Sequence, residues 1–126
     1  MTQYGDFYRC EVCGHVVSVV YPGAPTLHCC GQPMKRLEAN TTDASKEKHV
    51  PVIESKGDNT LVKVGSVPHP MTPEHHIAFI EIVLKNGKRG CAKLDPAGAP
   101  EAEFPVKASD IETVYEYCNL HGLWKS

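Results

Sequence analysis

The sequence predicts an all-β protein in two parts, a small cysteine-stapled metal module followed by a β-sandwich. Three observations carry the prediction. Four of the six cysteines, Cys10, Cys13, Cys29 and Cys30, fall within the first 30 residues, whereas five of the seven histidines follow residue 48. Past that point, short β-type stretches alternate with turn signals at a spacing of roughly ten residues, the rhythm of a sandwich. The length, 126 residues, suits one small module joined to a domain of about 90.

The first module is expected to span residues 1–37. Tyr8–Cys10 and Val16–Tyr21 are its β-type stretches, punctuated by Gly14, Pro22-Gly23, Pro25, Gly31 and Pro33. So short a chain rarely folds without a staple, and four thiolates on one metal would supply it. Glu38–Lys48 is polar and reads as a linker, with a helix-compatible run from Asp43 to Lys48. The second domain, residues 38–126, is expected to carry strands over Val50–Glu54, Thr60–Val67, His76–Leu84, Cys91–Leu94, Glu103–Val106 and Thr113–Cys118. Asn86-Gly87 between Ile82-Val83-Leu84 and Cys91-Ala92 is a hairpin signal.

Composition excludes several classes. Hydrophobic residues make up 41% and charged residues 22%, which is globular rather than disordered. A net charge of -2 offers no basic surface for nucleic acid or an anionic membrane. No apolar run approaches the ~18 residues of a membrane span, and Met1-Thr-Gln-Tyr-Gly-Asp lacks the features of a signal peptide. The expected compartment is the cytoplasm, where six thiols are better used on metal than in disulfides.

Cys10-Glu11-Val12-Cys13 is a C-x2-C knuckle, a tight turn that offers two thiolates to one ion. Cys29-Cys30 completes a four-sulfur set suited to zinc or iron, which spacing does not separate. Adjacent cysteines point to opposite sides of an extended chain, so both reach one metal only through a kink, which Gly31 can absorb. His15 and His28 flank the set and read as non-ligands where four thiolates are available.

The second domain holds His49, His69, His75, His76 and His121 with Cys91 and Cys118. Cys118-Asn119-Leu120-His121-Gly122 can chelate one ion from a turn at a strand end, and prolines 68 and 70 stiffen the chain around His69. His75 and His76 cannot both face one metal from an extended segment, and spacing does not choose between them. Cys91 reads as a packed thiol. Four imidazoles and one thiolate exceed the four ligands of a structural zinc. They suit iron with one open octahedral position, on which an electron-rich thiolate pushes density.

These residues resemble desulfoferrodoxin, the two-iron class of superoxide reductase, over nearly the whole chain. Cys10-x2-Cys13 with Cys29-Cys30 resembles the desulforedoxin-like, rubredoxin-type module, which holds an Fe(Cys)4 centre. Glu47-Lys48-His49-Val50-Pro51, His69-Pro70-Met71, Glu74-His75 and Cys118-Asn119-Leu120-His121-Gly122 follow the family's catalytic motifs in order. The resemblance implies an immunoglobulin-like β-sandwich with an Fe(His)4Cys centre held by His49, His69, His75, His121 and axial Cys118. It selects His75 over His76, makes Lys48 the cation beside the open position, and makes Glu47 the carboxylate that can fill it after oxidation. It further implies one-electron reduction of superoxide to hydrogen peroxide, a rubredoxin-type electron donor and a homodimer.

Overall fold

A computed structural model describes residues 1–42 and 44–126; Asp43, which opens the helix-compatible run expected above, lies outside the described residues. The chain forms two compact units, Met1–Glu38 and Ala39–Ser126.

In the first unit, β1 (Phe7–Arg9), β2 (Val16–Ser18) and β5 (Lys35–Arg36) form an antiparallel sheet in the order β2-β1-β5. β2 ends at Ser18, short of the expected Tyr21, because its partner β1 begins at Phe7, opposite Ser18. Val19 then turns into the core, and Val20 and Tyr21 stand in solvent. β3 (His28–Cys29) and β4 (Gln32–Pro33) make a hairpin that the sequence did not signal. Its two-residue turn is Cys30-Gly31, with φ of 54° and 76°. Positive φ at both positions defines a type I′ turn, normally announced by Asn-Gly. The kink is therefore shared by Cys30 and Gly31, not taken up by Gly31 alone. The core is small: Tyr8, Cys10, Val19 and Met34, with Leu27 and Cys29 packed against them.

The second unit opens with a single helical turn, α1 (Lys46–His49), and continues into β6 (Pro51–Lys56), β7 (Asn59–Val64), β8 (Ile77–Leu84), β9 (Arg89–Lys93), β10 (Glu101–Phe104), β11 (Ile111–Cys118) and β12 (Gly122–Lys125). A three-stranded sheet, β10-β7-β6, faces a four-stranded sheet, β12-β11-β8-β9. Alternation drives the packing. Thr60, Val62 and Val64 of β7 point inward, and Val62 and Val64 meet Ile80, Ile82, Val114 and Cys118 from the other sheet. The Asn86-Gly87 signal yields the β8–β9 hairpin. There the Gly87 N–H donates to the Leu84 carbonyl at 2.9 Å, and Gly87 takes φ 88°. β12 escapes sequence reading because Gly122-Leu-Trp-Lys is too short to show a period.

Cys91 departs from the packed-thiol expectation: it is exposed. On the edge strand β9 it is Ala92 that packs against the core, so its neighbour Cys91 faces outward, opposite Glu81. Glu81 is itself held by Arg89, whose Nε and Nη2 donate to Oε2 at 2.9 and 2.6 Å.

Glu116 is the one acid on the inward face of β11. It is fully buried, and neither carboxyl oxygen has a hydrogen-bond partner among the described residues. Burial pushes its pKa up to about 9. The folded protein therefore keeps a proton that the unfolded chain releases above about 4.5. Stability from this group is full below that value and is lost as pH rises toward 9. Glu116→Gln should flatten this loss, which is at most about 1.4 kcal/mol per pH unit. Denaturant midpoints of both proteins at pH 5 and pH 8 check it: the parent should weaken more than the variant.

Candidate metal centres

Among the described residues, two groups of side chains gather ligand atoms within 4.8 Å of one another: Cys10, Cys13, Cys29 and Cys30 in the first unit, and His49, His69, His75, Cys118 and His121 in the second.

The first group hangs on two turns. The knuckle aims the Cys13 backbone N–H at Cys10 Sγ at 3.4 Å, and the type I′ turn presents the second pair. Cys13 Sγ lies 3.6 Å from Cys29 Sγ, which lies 3.9 Å from Cys30 Sγ. This crowding splits the thiols. The Cys13 backbone N–H, chief among several influences, holds Cys10 down at about 6, while contacts with Cys13, Cys10 and Cys30 push Cys29 up to about 12. Four sulfurs this close cannot all ionise without a cation among them, so the set fits a tetrahedral thiophilic metal. His15 and His28 lie outside the set. His15 Nδ1 is 3.0 Å from Cys13 Sγ, and His28 Nδ1 donates to the Thr26 carbonyl at 3.3 Å.

The second group is a closed ring. His49 meets His69 edge-on with centroids 4.7 Å apart, His69 meets His75 at 4.7 Å, His75 meets His121 at 5.0 Å, and His121 returns to His49 at 4.8 Å. Each imidazole is set by its own element. His49 ends α1, is buried, stacks on Trp124 at 4.9 Å and donates from Nδ1 to the Ser45 carbonyl at 2.6 Å. His69, in the Pro-His-Pro segment, donates from Nδ1 to the Pro70 carbonyl at 2.7 Å. His75 closes a turn in which its N–H and carbonyl pair with Thr72 at 3.2 and 2.9 Å. His121 lies in the loop from β11 to β12, and its carbonyl accepts the Trp124 indole N–H at 3.0 Å.

These outward bonds decide what the interior needs. A carbonyl only accepts, so His49 and His69 carry their protons on Nδ1. Burial, first among several causes, lowers the pKa of both, His69 to about 4, so both rings are neutral. Their two Nε2 atoms, 3.2 Å apart, then face each other as bare lone pairs, with His121 Nδ1 3.0 Å from His49 Nε2. The buried His75 Nε2 has no hydrogen-bond partner among the described residues. Cys118 Sγ, fully buried, sits 3.5 Å from His69 Nε2 and 3.8 Å from His121 Nδ1. Burial raises its pKa, while the N–H groups of His121 and Leu120 work against that rise. Convergent acceptors around a thiol supplied with N–H donors fit a cation, and they do not satisfy one another.

Glu47 and Lys48 are exposed on α1 and contribute no atom to the ring. The Lys48 charge nonetheless contributes to lowering both His49 and His75, after burial and the neighbouring histidines. His76 turns away: its Nδ1 donates to the Thr72 carbonyl at 2.9 Å.

The chain belongs to the desulfoferrodoxin family. The sequence profile described as "Desulfoferrodoxin" matches residues 41–126, and "Desulfoferrodoxin, N-terminal domain" matches residues 2–37. A desulfoferrodoxin of Syntrophotalea carbinolica is 52% identical over 126 residues, which is 100% of this chain and 98% of the relative. A superoxide reductase of Pyrococcus horikoshii is 41% identical, covering 67% of this chain and 88% of its own. The crystal structure of the superoxide reductase from Treponema pallidum superposes with a TM-score of 0.78 at 37% identity, over 96% of this chain and 97% of that one.

Three positioning residues of this desulfoferrodoxin-family site were not assigned a role by sequence reasoning. Asn119 straddles His75: its amide N–H donates to the Glu74 carbonyl at 2.9 Å and its Oδ1 accepts the His76 N–H at 2.9 Å. Trp124 backs His49. Gly65 clamps α1, since the Val67 N–H donates to the Glu47 carbonyl at 2.9 Å across it. Only Asn119 carried a signal, its place in the motif; the other two act through contacts distant in sequence. At φ 82°, a Cβ on Gly65 would lie 2.5 Å from the Val67 carbonyl oxygen, 2.6 Å from that of Glu47 and 2.8 Å from the Lys48 carbonyl carbon. Gly65→Ala should therefore push α1 and His49 away from the His69 segment. The expected outcome is a loss of about 1–3 kcal/mol of stability and selective loss of metal from the histidine ring, with the cysteine centre still loaded. Metal analysis with denaturant unfolding checks it.

Proposed function

We propose that the chain works as a superoxide reductase: superoxide, one electron and two protons leave as hydrogen peroxide, and no oxygen is released. The observation that carries this reading is the ring of four imidazoles closed over a buried thiol, in a family with relatives named superoxide reductase. Iron held by the ring and Cys118 supplies, when bound, the electron and an exchangeable position for the anion, and iron held by Cys10, Cys13, Cys29 and Cys30 supplies a second redox centre.

The chain's own residues divide the remaining work. Imidazole is a neutral ligand when bound to a metal, so the charge of the site would be set by the metal and one thiolate. Cys118, sealed in the core with N–H groups aimed at its sulfur, is kept from protons and solvent while donating density. Trp124 closes the His49 side. His75 and His121 are only half-buried, which leaves a side from which an anion can enter and peroxide can leave. Lys48, whose charge already reaches His75 and His49, steers superoxide to that side and organises the water that protonates the product. Glu47, with its carboxyl held below its usual range first by its own backbone N–H, stays ionised and is available to close the site once the electron has gone.

In this reading residues 1–37 form the electron-relay module and residues 38–126 the catalytic domain. An external one-electron donor of the rubredoxin type restores the site, the protein acts as a homodimer, and its place is the cytoplasm. Support for the first two comes from the family resemblance. Among the described residues, no helix is long and apolar enough to cross a membrane.

Pulse radiolysis of the reduced, iron-loaded protein, with peroxide and oxygen measured together, tests the function. One peroxide per superoxide with no oxygen is expected. Oxygen evolution would indicate dismutation, and no reaction would indicate a pure electron carrier; either result overturns the proposal. Lys48→Ala should slow the encounter about two- to tenfold and flatten its dependence on ionic strength, with iron content unchanged. The rate constants at low and high salt read the effect directly.

A further inference from the structure

The sulfurs of the first cluster do not draw their hydrogen bonds from the same source. Buried Cys10 accepts the Cys13 backbone N–H at 3.4 Å. Cys13 is exposed, and the donor beside its sulfur is a side chain, His15, with Nδ1 at 3.0 Å from Sγ. A metal-held thiolate has no proton to give. A ring nitrogen in contact with it therefore carries the hydrogen, whether the imidazole is neutral or cationic. The contact is an N–H···S bond with the imidazole as donor.

The backbone pins this ring. The Cys10 N–H donates to the His15 carbonyl at 2.9 Å, and the Gly14 N–H donates to the Cys10 carbonyl at 3.0 Å. Gly14 takes φ 83° to make the turn, and β2 starts directly after His15, at Val16, paired with Arg9. His15 is thus fixed at both ends of a closed turn, and its ring returns over Cys13. It is exposed and borders an open groove of about 580 Å³, so its replacement disturbs no core.

We propose that His15 is a tuning residue of the first centre, whose N–H···S bond to Cys13 raises the reduction potential of the iron held by Cys10, Cys13, Cys29 and Cys30. This rests on the reading of that cluster as an iron site. Reduction adds one electron to the centre, and negative charge on the sulfurs rises. A donor already aimed at one sulfur stabilises the reduced form more than the oxidised form. The first centre becomes a readier acceptor from the external donor. The knuckle's backbone does this for Cys10, and His15 extends it to Cys13, one of the two cysteines of the cluster that face solvent.

The test is an optical redox titration of the full-length, iron-loaded protein at one fixed pH, with iron content measured on the same samples. His15→Ala and His15→Leu remove the donor; His15→Gln keeps an N–H at similar reach. Both donor-free variants should shift the equilibrium about tenfold toward the oxidised centre, or about 59 mV lower for a one-electron couple, with the thiolate-to-iron band displaced. His15→Gln should stay closer to the parent than either. Iron bound with an unchanged midpoint in His15→Ala and His15→Leu would overturn the assignment alone, as would a Gln variant shifted as far as Ala. Loss of the first iron from both donor-free variants would make His15 a ligand or folding element, and that too overturns it. A parent protein without iron in the first cluster would sink the underlying reading, and the tuning role with it.

Discussion

The constraint on which this structure depends is the convergence of electron pairs that cannot satisfy one another. In the second unit, Nε2 of His49 and Nε2 of His69 meet at 3.2 Å after both rings have donated their protons outward to carbonyls. In the first, the Cys13 backbone N–H holds the Cys10 thiol at about 6 while its sulfur neighbours push Cys29 to about 12. Each arrangement costs free energy until a cation enters, and each then becomes a staple. The first unit depends on this most, since its apolar core is four residues with two partly buried neighbours. The sandwich has a full core of its own, and there the cation organises loops.

The two centres share one local device. Cys10-x2-Cys13-Gly14 and Cys118-x2-His121-Gly122 both fold a tight turn that points backbone N–H groups at the first sulfur. Both end on a glycine in the left-handed region, with φ of 83° and 80°. The environments then differ. Cys118 is sealed beneath the imidazole ring, whereas Cys13 and Cys30 face solvent. A shielded thiolate beneath a partly open ring suits exchange of a small anion, and a four-sulfur set with two cysteines at the surface suits electron transfer there.

Much of this was legible in the sequence, because metal ligands are chemically distinctive and their spacing records local turns. Cys10, Cys13, Cys29, Cys30, Cys118 and His121 stand out by spacing, and the sandwich strands by alternation, as in Thr60, Val62 and Val64. The choice of His75 over His76 was not legible from pattern. It is made by the Thr72–His75 turn and by Asn119, which arrives from a strand end 43 residues on from His76. Gly65 was invisible for the same reason, since its neighbours Glu47 and Lys48 are close only in the fold. The β3–β4 hairpin was missed because a cysteine occupies a position usually held by asparagine or glycine. Cys91 was misread because β9 could not be identified as an edge strand from its own residues.

X-ray absorption at the iron edge of a Cys13→Ser variant, which leaves the second centre as the loaded one, reads the ligands of the histidine ring most directly. A single iron bound by four nitrogens and one sulfur is expected, with the sulfur contribution lost when Cys118→Ser is added. An iron without sulfur in its coordination shell, or a histidine ring that holds no iron at all, would contradict it.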